Sequence, residues 1–536
     1  MTALLNAADA LHAAGKLPEA IASYRDAVRA DPGLYLGWYG LGCALYTAGA
    51  FADAVAALRQ AVGIAPNAMP ARATLGEALY AIGQITDSNR TYAHIARDGD
   101  ATLKHLALGN IACAAPSDPA MDNAAIKRAR EAWIAAEAAS IRPLNATSGR
   151  RGGKVRIGYL GAFFGAKNWM KGYMGVINAH DRDRFEIHFI ADRAVPTAVA
   201  GYRDHDDDRI WDVNGVPNDR LARLIAEAEL DVLVDLNGYS FQRRLPLLLY
   251  RAAPVQFSWV GMYGTTGIAG LNGVIGDAAV APAGEEKFFS EPIVRVRNTY
   301  LTFDIFYAVP EVAPPPCLAN GYVTFGSLAS AYKITDAVAA AWSQIVRGVP
   351  GSRLLLRNRS LGEVSNRADF IARFGAQGLP AERLMFEGGA EHFEYLRTYD
   401  RIDIALDTFP YNGGTTTAEA IWQGVPLLSF NGDRWASRTS RSILLAAGLE
   451  DFAAADLAGF VASGISMGLA PEALAARRET QRARIATTPA FDPVGLCRAL
   501  EALFEASVAA NPAGRHLPQR PKREEKIFLF GGRVAE

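Results

Sequence analysis

Residues 401–438 read RIDIALDTFPYNGGTTTAEAIWQGVPLLSFNGDRWASR. Ile402 to Leu406 form an apolar run closed by Asp407 and Pro410, the pattern of a strand buried on both faces of a parallel sheet. A turn of small residues follows, Asn412-Gly413-Gly414-Thr415-Thr416-Thr417, and then a helical pattern from Ala418 to Gln423 that stops at Gly424. A second apolar run, Val425 to Phe430, completes a strand–turn–helix–strand unit. Its turn suits an anion. Gly413 and Gly414 let the backbone come close to a ligand, and the first helical turn aims amide groups at it. Thr415, Thr416 and Thr417 add hydroxyl donors, and Glu419 offers a carboxylate to a ribose diol. The same residues also make an ordinary helix N-cap, and the turn alone leaves both readings open.

The chain has 536 residues, too many for one core, and two to four domains are expected. Half of it is hydrophobic, with 24 Phe, 19 Tyr and 8 Trp, so large cores are expected rather than disorder. Basic residues number 55 and acidic residues 56, so no global field favours nucleic acid or an anionic membrane. Cys43, Cys113, Cys317 and Cys497 lie far apart without a CxxC pair, which reads as buried reduced thiols rather than disulfides or a zinc site. No secretory pattern opens the sequence and no apolar run reaches bilayer length, so a cytoplasmic protein without a membrane span is expected.

The first hundred residues repeat. Gly15, Gly49 and Gly83 recur at a spacing of 34, as do Ala8, Gly42 and Gly76, and Tyr24, Leu58 and Tyr92. Pro32 and Pro66 end the first two units, and the third lacks that proline. This is the tetratricopeptide period, two helices per unit, with small residues where the paired helices touch. Residues 101–141 continue helical and read as a cap on the array. Three repeats give a short groove for an extended peptide, or simply a brace for the rest of the chain.

After a polar, Gly-rich linker at 142–153, apolar strands alternate with helices. Strands are expected at Val155–Leu160, Phe185–Ala191, Asp231–Leu236, Val255–Val260 and Gly273–Gly276, with a helix at Asn218–Glu229. A second set falls at Tyr322–Phe325, Arg353–Leu356, Leu384–Glu387, Ile402–Leu406 and Pro426–Phe430. Each set implies a doubly wound parallel sheet with ligands beyond the carboxyl ends of its strands. The lobes are expected at 154–315 and 316–510, followed by a tail at 511–536 that is basic and then apolar.

The string DTFPYNGGTTTAEAIWQGVPLLSF, followed by GDRWASR, closely resembles the signature of the O-linked GlcNAc transferase/SPINDLY group, glycosyltransferase family 41. The resemblance extends through RIGYLGAFFGAKNWMKGYM, DVLVDLNGYS, APVQFSWVGMYGTTG with its Gly261–Gly267 loop, TFGSLASAYKI, LLLRNR and GLPAERLMFEG. It implies a two-lobed GT-B fold behind the repeat array, with an acceptor-side first lobe and a nucleotide-side second lobe. The implied reaction is inverting and metal-independent, moving GlcNAc or another hexose from a UDP donor to Ser or Thr of a protein held partly by the repeats. No cofactor is required.

Carried over residue by residue, the resemblance puts Lys333 of SAYKI against the donor diphosphate, where a cation offsets the charge growing on the leaving nucleotide. It puts Thr415 and Thr416 on the diphosphate and Glu419 on the ribose, where relatives often carry Asp. Gly414 stands where relatives often carry His. The base-contacting histidine of the family falls in register with Tyr395, and His392 lies one helical turn earlier. The acceptor region departs from the family: GAFFGAKNWMKG has Phe163 in the Asp place and Lys167 near the His place of a candidate base. An ordinary lysine is charged at neutral pH and cannot accept a proton, but burial or a neighbouring cation would let Lys167 serve as a catalytic candidate. As the alternative, Lys167 or Lys171 would suit an anionic sugar, such as a nonulosonic acid transferred to flagellin. Asp235 and Asn237 are candidates for holding the acceptor, and Tyr239 stands where many relatives have another histidine. The strings Asp181-Arg182-Asp183 and Asp204-His205-Asp206-Asp207-Asp208 match a loose metal-binding DxD form that arises readily by chance, and no metal ligand is assigned. A repeat-based adaptor without turnover is the reading from another class.

Overall fold

Three helix pairs open the chain in this computed structural model, which describes residues 2–146, 153–261 and 263–511. They are α1 (Thr2–Ala13) with α2 (Leu17–Ala30), α3 (Tyr35–Thr47) with α4 (Phe51–Ile64), and α5 (Met69–Ala81) with α6 (Ile85–Asp98). A Cβ added at Gly42 would lie 2.5 Å from Leu58, and one at Gly76 would lie 2.7 Å from Tyr92. The period-34 small residues therefore mark where a large side chain of the paired helix crosses at close range. Gly15, Gly49 and Gly83 turn each pair with φ of +73°, +81° and +83°, a region that costs glycine nothing. α7 (Ala101–Ala114) packs on α6, and α8 (Asn123–Ala138) follows.

Two parallel sheets account for the α/β part. The first contains β1 (Val155–Gly161), β2 (Phe185–Ala191), β3 (Arg209–Asp212), β4 (Val232–Asp235), β5 (Val255–Trp259), β6 (Gly273–Asp277) and β7 (Ile293–Val296), in the order β3-β2-β1-β4-β5-β6-β7. The second contains β8 (Thr324–Ser327), β9 (Arg353–Arg357), β10 (Leu384–Glu387), β11 (Ile404–Leu406), β12 (Leu427–Phe430) and β13 (Ala453–Ala454), ordered β10-β9-β8-β11-β12-β13. In both, the order reverses beside the first strand, which opens a crevice at the strands' carboxyl ends. The fold is thus a tetratricopeptide array followed by two Rossmann-like lobes. β3, β7 and β13 were not expected. All three are sheet edges with partly exposed side chains, so no apolar run announces them.

The chain folds into two compact units that do not follow its linear order. One holds Met1–Asp122, Val309–Ser440 and Asp451–Arg482, so the repeats and the second sheet belong together. The other holds Asn123–Ala308, Arg441–Glu450 and the described residues from Ala483 onward. The expected divisions at 141 and 510 differ from this partition: α8 and the helix Pro493–Ala510 join the first sheet. The described part of the expected linker is also anchored, since Leu144 and Ala146 donate to the Tyr250 and Arg251 carbonyls at 2.6 and 3.0 Å. The basic–apolar tail lies outside the described residues. No single helix among the described residues is long and apolar enough to cross a membrane.

Candidate active site

The opening stretch of sequence builds a turn around one carboxylate. Asp407 directly follows β11, and its buried Oδ1 accepts the amides of Thr408 at 2.9 Å and Gly413 at 3.0 Å. Oδ2 accepts the Ser429 hydroxyl at 2.7 Å, from the end of β12. Burial pushes the carboxyl pKa up, and these donors pull against it. Asn412 closes the loop by donating to the Thr408 carbonyl at 2.6 Å, and its own amide donates to the Ala436 carbonyl at 2.8 Å. The helix Thr415–Trp422 starts directly after, with Gly414 as its N-cap residue. A Cβ at Gly413 would meet the Thr416 and Thr417 hydroxyls at 2.5 and 2.7 Å, so only glycine lets the turn fold back on the helix start. Thr417 is fully buried and pairs with the Ser440 hydroxyl at 2.8 Å, whereas Thr415 and Thr416 keep partial exposure.

Lys333 comes to this turn from the short helical segment Ala331–Lys333 after β8. Its Nζ donates to the Asn412 carbonyl at 2.7 Å and lies 4.4 Å from the Tyr411 ring centroid. Dense surroundings disfavour its charge and pull its pKa down to about 8, while Asp407 pulls the other way. Tyr332 and Tyr411, which flank the lysine, escaped the reading of the sequence. An aromatic beside each end of the SAYK and PYNGG strings was the available signal.

Glu419, one turn into the helix, is 5 % exposed, and its Oε1 lies 3.6 Å from His392 Nε2. The His392 and Tyr395 rings lie nearly parallel, with centroids 6.3 Å apart. Tyr395 donates its hydroxyl to the Leu328 carbonyl at 3.0 Å, and burial together with the Glu419 charge pushes its pKa up. The structure therefore brings Lys333, Gly413, Gly414, Thr415, Thr416, Glu419, His392 and Tyr395 onto the carboxyl edge of one sheet.

Lys167 and Asp235 belong to the other unit. Asp235, at the end of β4, is fully buried, with Oδ1 accepting the Asn237 amide at 3.0 Å and Oδ2 the Gly238 amide at 2.9 Å. Burial raises its pKa to about 6. The Asn237 side chain accepts the Ala162 amide at 2.7 Å and donates to the Leu160 carbonyl at 3.4 Å. Both were expected to hold an acceptor; in the structure Asp235 accepts amides of its own strand-end turn and Asn237 bonds the end of β1, so each satisfies backbone groups that burial cuts off from water. Lys167 and Lys171 converge on one ring, with Nζ 5.2 and 4.2 Å from the Tyr307 centroid, and Lys171 is 1 % exposed. Phe163 packs on Trp169 with centroids 4.6 Å apart. Tyr239 donates to the Thr266 carbonyl at 2.9 Å beneath the Arg130 guanidinium.

The acidic strings also have structural partners: Asp208 forms a two-point pair with Arg182, and Asp207 bonds Lys154 at 2.8 Å. Of the cysteines, Cys317 and Cys497 are buried and Cys43 and Cys113 only partly so, and all four are free thiols. His180, Cys497 and Glu501 bring ligand-type atoms within 4.8 Å of one another. His180 Nδ1 lies 3.1 Å from Glu501, and Arg498 and Arg184 approach the same carboxylate, a cationic rim that works against a metal ion.

Comparison with known families settles the grouping. The family model described as glycosyl transferase family 41 matches residues 139–313 and 316–500, and tetratricopeptide repeat models match 2–33 and 36–68. The chain belongs to glycosyltransferase family 41. Among family relatives, the probable UDP-N-acetylglucosamine–peptide N-acetylglucosaminyltransferase SPINDLY of Solanum lycopersicum is 31% identical over 299 residues, 55% of this chain and 32% of that protein. The probable transferase SEC of Arabidopsis thaliana, named for the same activity, is 28% identical over 66% of this chain and 37% of its own length. The chain thus spans about a third of the length of these relatives. A solved mutant of the Thermobaculum terrenum O-GlcNAc transferase is similar throughout, with a TM-score of 0.81, 26% identity, and coverage of 95% of this chain and 97% of that one.

Proposed function

We propose that this family 41 protein is a protein O-glycosyltransferase that takes a UDP-sugar, by default UDP-GlcNAc or another UDP-hexose, and glycosylates Ser or Thr in the cytoplasm. One observation carries the reading: the Lys333 ammonium sits 2.7 Å from the Asn412 carbonyl, on the turn that leads into the helix Thr415–Trp422. An ammonium has three N–H donors, and the Asn412 carbonyl takes one of them. As the glycosidic bond breaks, charge grows on the departing diphosphate, and Lys333, the first-turn amides and the Thr415 and Thr416 hydroxyls meet it there. That set supplies the role a divalent ion plays elsewhere, so the transfer is read as metal-independent. Glu419 receives the ribose hydroxyls, and His392 and Tyr395 line the base. Inversion needs the acceptor oxygen in line with the leaving group, and the repeats hold the acceptor polypeptide.

A second reading concerns the sugar. Lys167 and Lys171 against Tyr307 form a cationic, aromatic-backed patch suited to a sugar carboxylate, as in a nonulosonic acid, for which flagellin is the matching acceptor. A thermal-shift panel of UDP, GDP, CMP and their sugars tests both readings, since a bound nucleotide stabilises the fold by mass action. A shift selective for UDP compounds supports the first reading and one selective for CMP-linked acidic sugars the second. Binding without donor hydrolysis or protein labelling would leave an adaptor, and no shift with any nucleotide would sink both.

A further inference from the structure

The three repeat turns are alike in backbone and unlike in surroundings. Around Gly15 and Gly49 a Cβ would find nothing within 4 Å, so glycine serves there for its positive φ alone. At Gly83 a Cβ would lie 2.6 Å from the Ile334 carbonyl oxygen and 3.2 Å from that of Ala331. The third repeat turn therefore rests directly on the backbone that carries Lys333. Tyr80, in the last turn of α5, stacks on Tyr332 with centroids 5.0 Å apart and planes 17° from parallel. Tyr332 in turn meets the Tyr411 ring edge-on at 6.1 Å, and Tyr411 lies under the Lys333 ammonium. Arg373 ties the two sides together, donating to the Ile82 carbonyl at 2.8 Å and the Ile334 carbonyl at 2.6 Å.

We propose that the third repeat is part of the donor site, with Tyr80 and Gly83 as positioning residues that clamp the Ala331–Lys333 turn and hold Lys333 against Asn412. This rests on the reading of Lys333 as a donor-diphosphate residue. The repeat array is then more than a handle for the acceptor, since displacing α5 displaces the cation that meets the leaving group. Tyr80 acts through the ring face, so phenylalanine suffices at that position. Gly83 acts through close approach, so any side chain pushes the lysine-bearing turn away.

Calorimetric titration of the full chain with UDP tests the inference, read as Kd and stoichiometry together. Tyr80→Ala and Gly83→Ala are each expected to weaken UDP binding about ten-fold at unchanged stoichiometry, and Tyr80→Phe to stay within about two-fold of the parent. Gly49→Ala carries the same backbone strain without the close approach, and is expected to lower the melting temperature yet keep the parent Kd. Normal Kd in both Tyr80→Ala and Gly83→Ala, with Lys333→Ala losing affinity, overturns the inference and leaves the donor reading standing. Parent-like affinity in Lys333→Ala overturns the donor reading and the inference with it. A fall in stoichiometry at constant Kd marks a folding defect only, and also counts against positioning.

Discussion

The two sheets end a central strand in the same way and then diverge. Asp235 at the end of β4 and Asp407 just after β11 are both buried aspartates whose oxygens accept two amides of the following turn. In the first sheet the turn passes into Gly238–Tyr250, a kinked 3-10 stretch that contains Pro246 and gives no regular helix start. In the second, the turn delivers Gly413 to the start of a helix and meets a lysine from the neighbouring strand's loop. The shared aspartate is scaffold. What differs is whether the backbone beyond it opens into a regular helix start beside a cation.

The sharpest way to break this comparison is to remove the cation. Lys333→Ala should cut transfer by about a hundred-fold or more, the scale on which single charge-stabilising groups act, while the melting temperature stays close to the parent's. Normal turnover in that variant would refute the assignment.

The two aspartates should also differ when each becomes asparagine. Asp235 uses one oxygen per amide, so Asp235→Asn sets an NH2 against an N–H and should cost about 2 kcal/mol in denaturant unfolding. Asp407 takes both amides on Oδ1 and a hydroxyl on Oδ2, so Asp407→Asn keeps Oδ1 and donates to the Ser429 oxygen, costing under about 1 kcal/mol. Equal losses would show that the turns are held otherwise than by these bonds.

A smaller effect comes from pH. Lys333 has a pKa of about 8 in the free protein, lowered by burial, so it is charged below that pH and neutral above it. A pyrophosphate beside it favours the charged form, so UDP binding takes up a proton near pH 8 and raises the pKa. Affinity should be level below about pH 7 and fall toward ten-fold per unit above about pH 8, as calorimetry in buffers of different ionisation enthalpy would read. The smallest expected change is in Glu419→Gln, a few-fold rise in donor KM with kcat held, since the amide still bonds a ribose hydroxyl.

How much of this was legible depended on distance along the chain. The Gly413–Thr416 turn and Glu419 lie within one continuous string, and Lys333 within another, so local pattern and resemblance located them. The helix pairs were equally plain, because their small residues recur at one period. The hydrogen-bond partners of Asp235 and Asn237 were not, since a strand-end polar side chain looks the same in sequence whether it faces a ligand or nearby backbone. The edge strands β3, β7 and β13 lacked the apolar run that burial on two faces imposes. Least visible was the union of repeats with the second sheet: Asn366 donates to the Gly49 carbonyl at 2.8 Å across 317 residues, and Arg434 reaches the Asp118 carbonyl at 3.0 Å. No local pattern encodes such pairs.

The bonds from Asn366 to Gly49 and from Arg373 to Ile82 bear on how such an array can change length during evolution. Solenoids ordinarily gain and lose modules anywhere along their axis, because each touches only its neighbours. Here the second and third modules are moored to the α/β part of the same compact unit, so duplications or deletions between Gly49 and Asp118 would tear those moorings. Variation in repeat number is then expected on the side of α1, so that relatives with longer superhelices would share the same innermost pair.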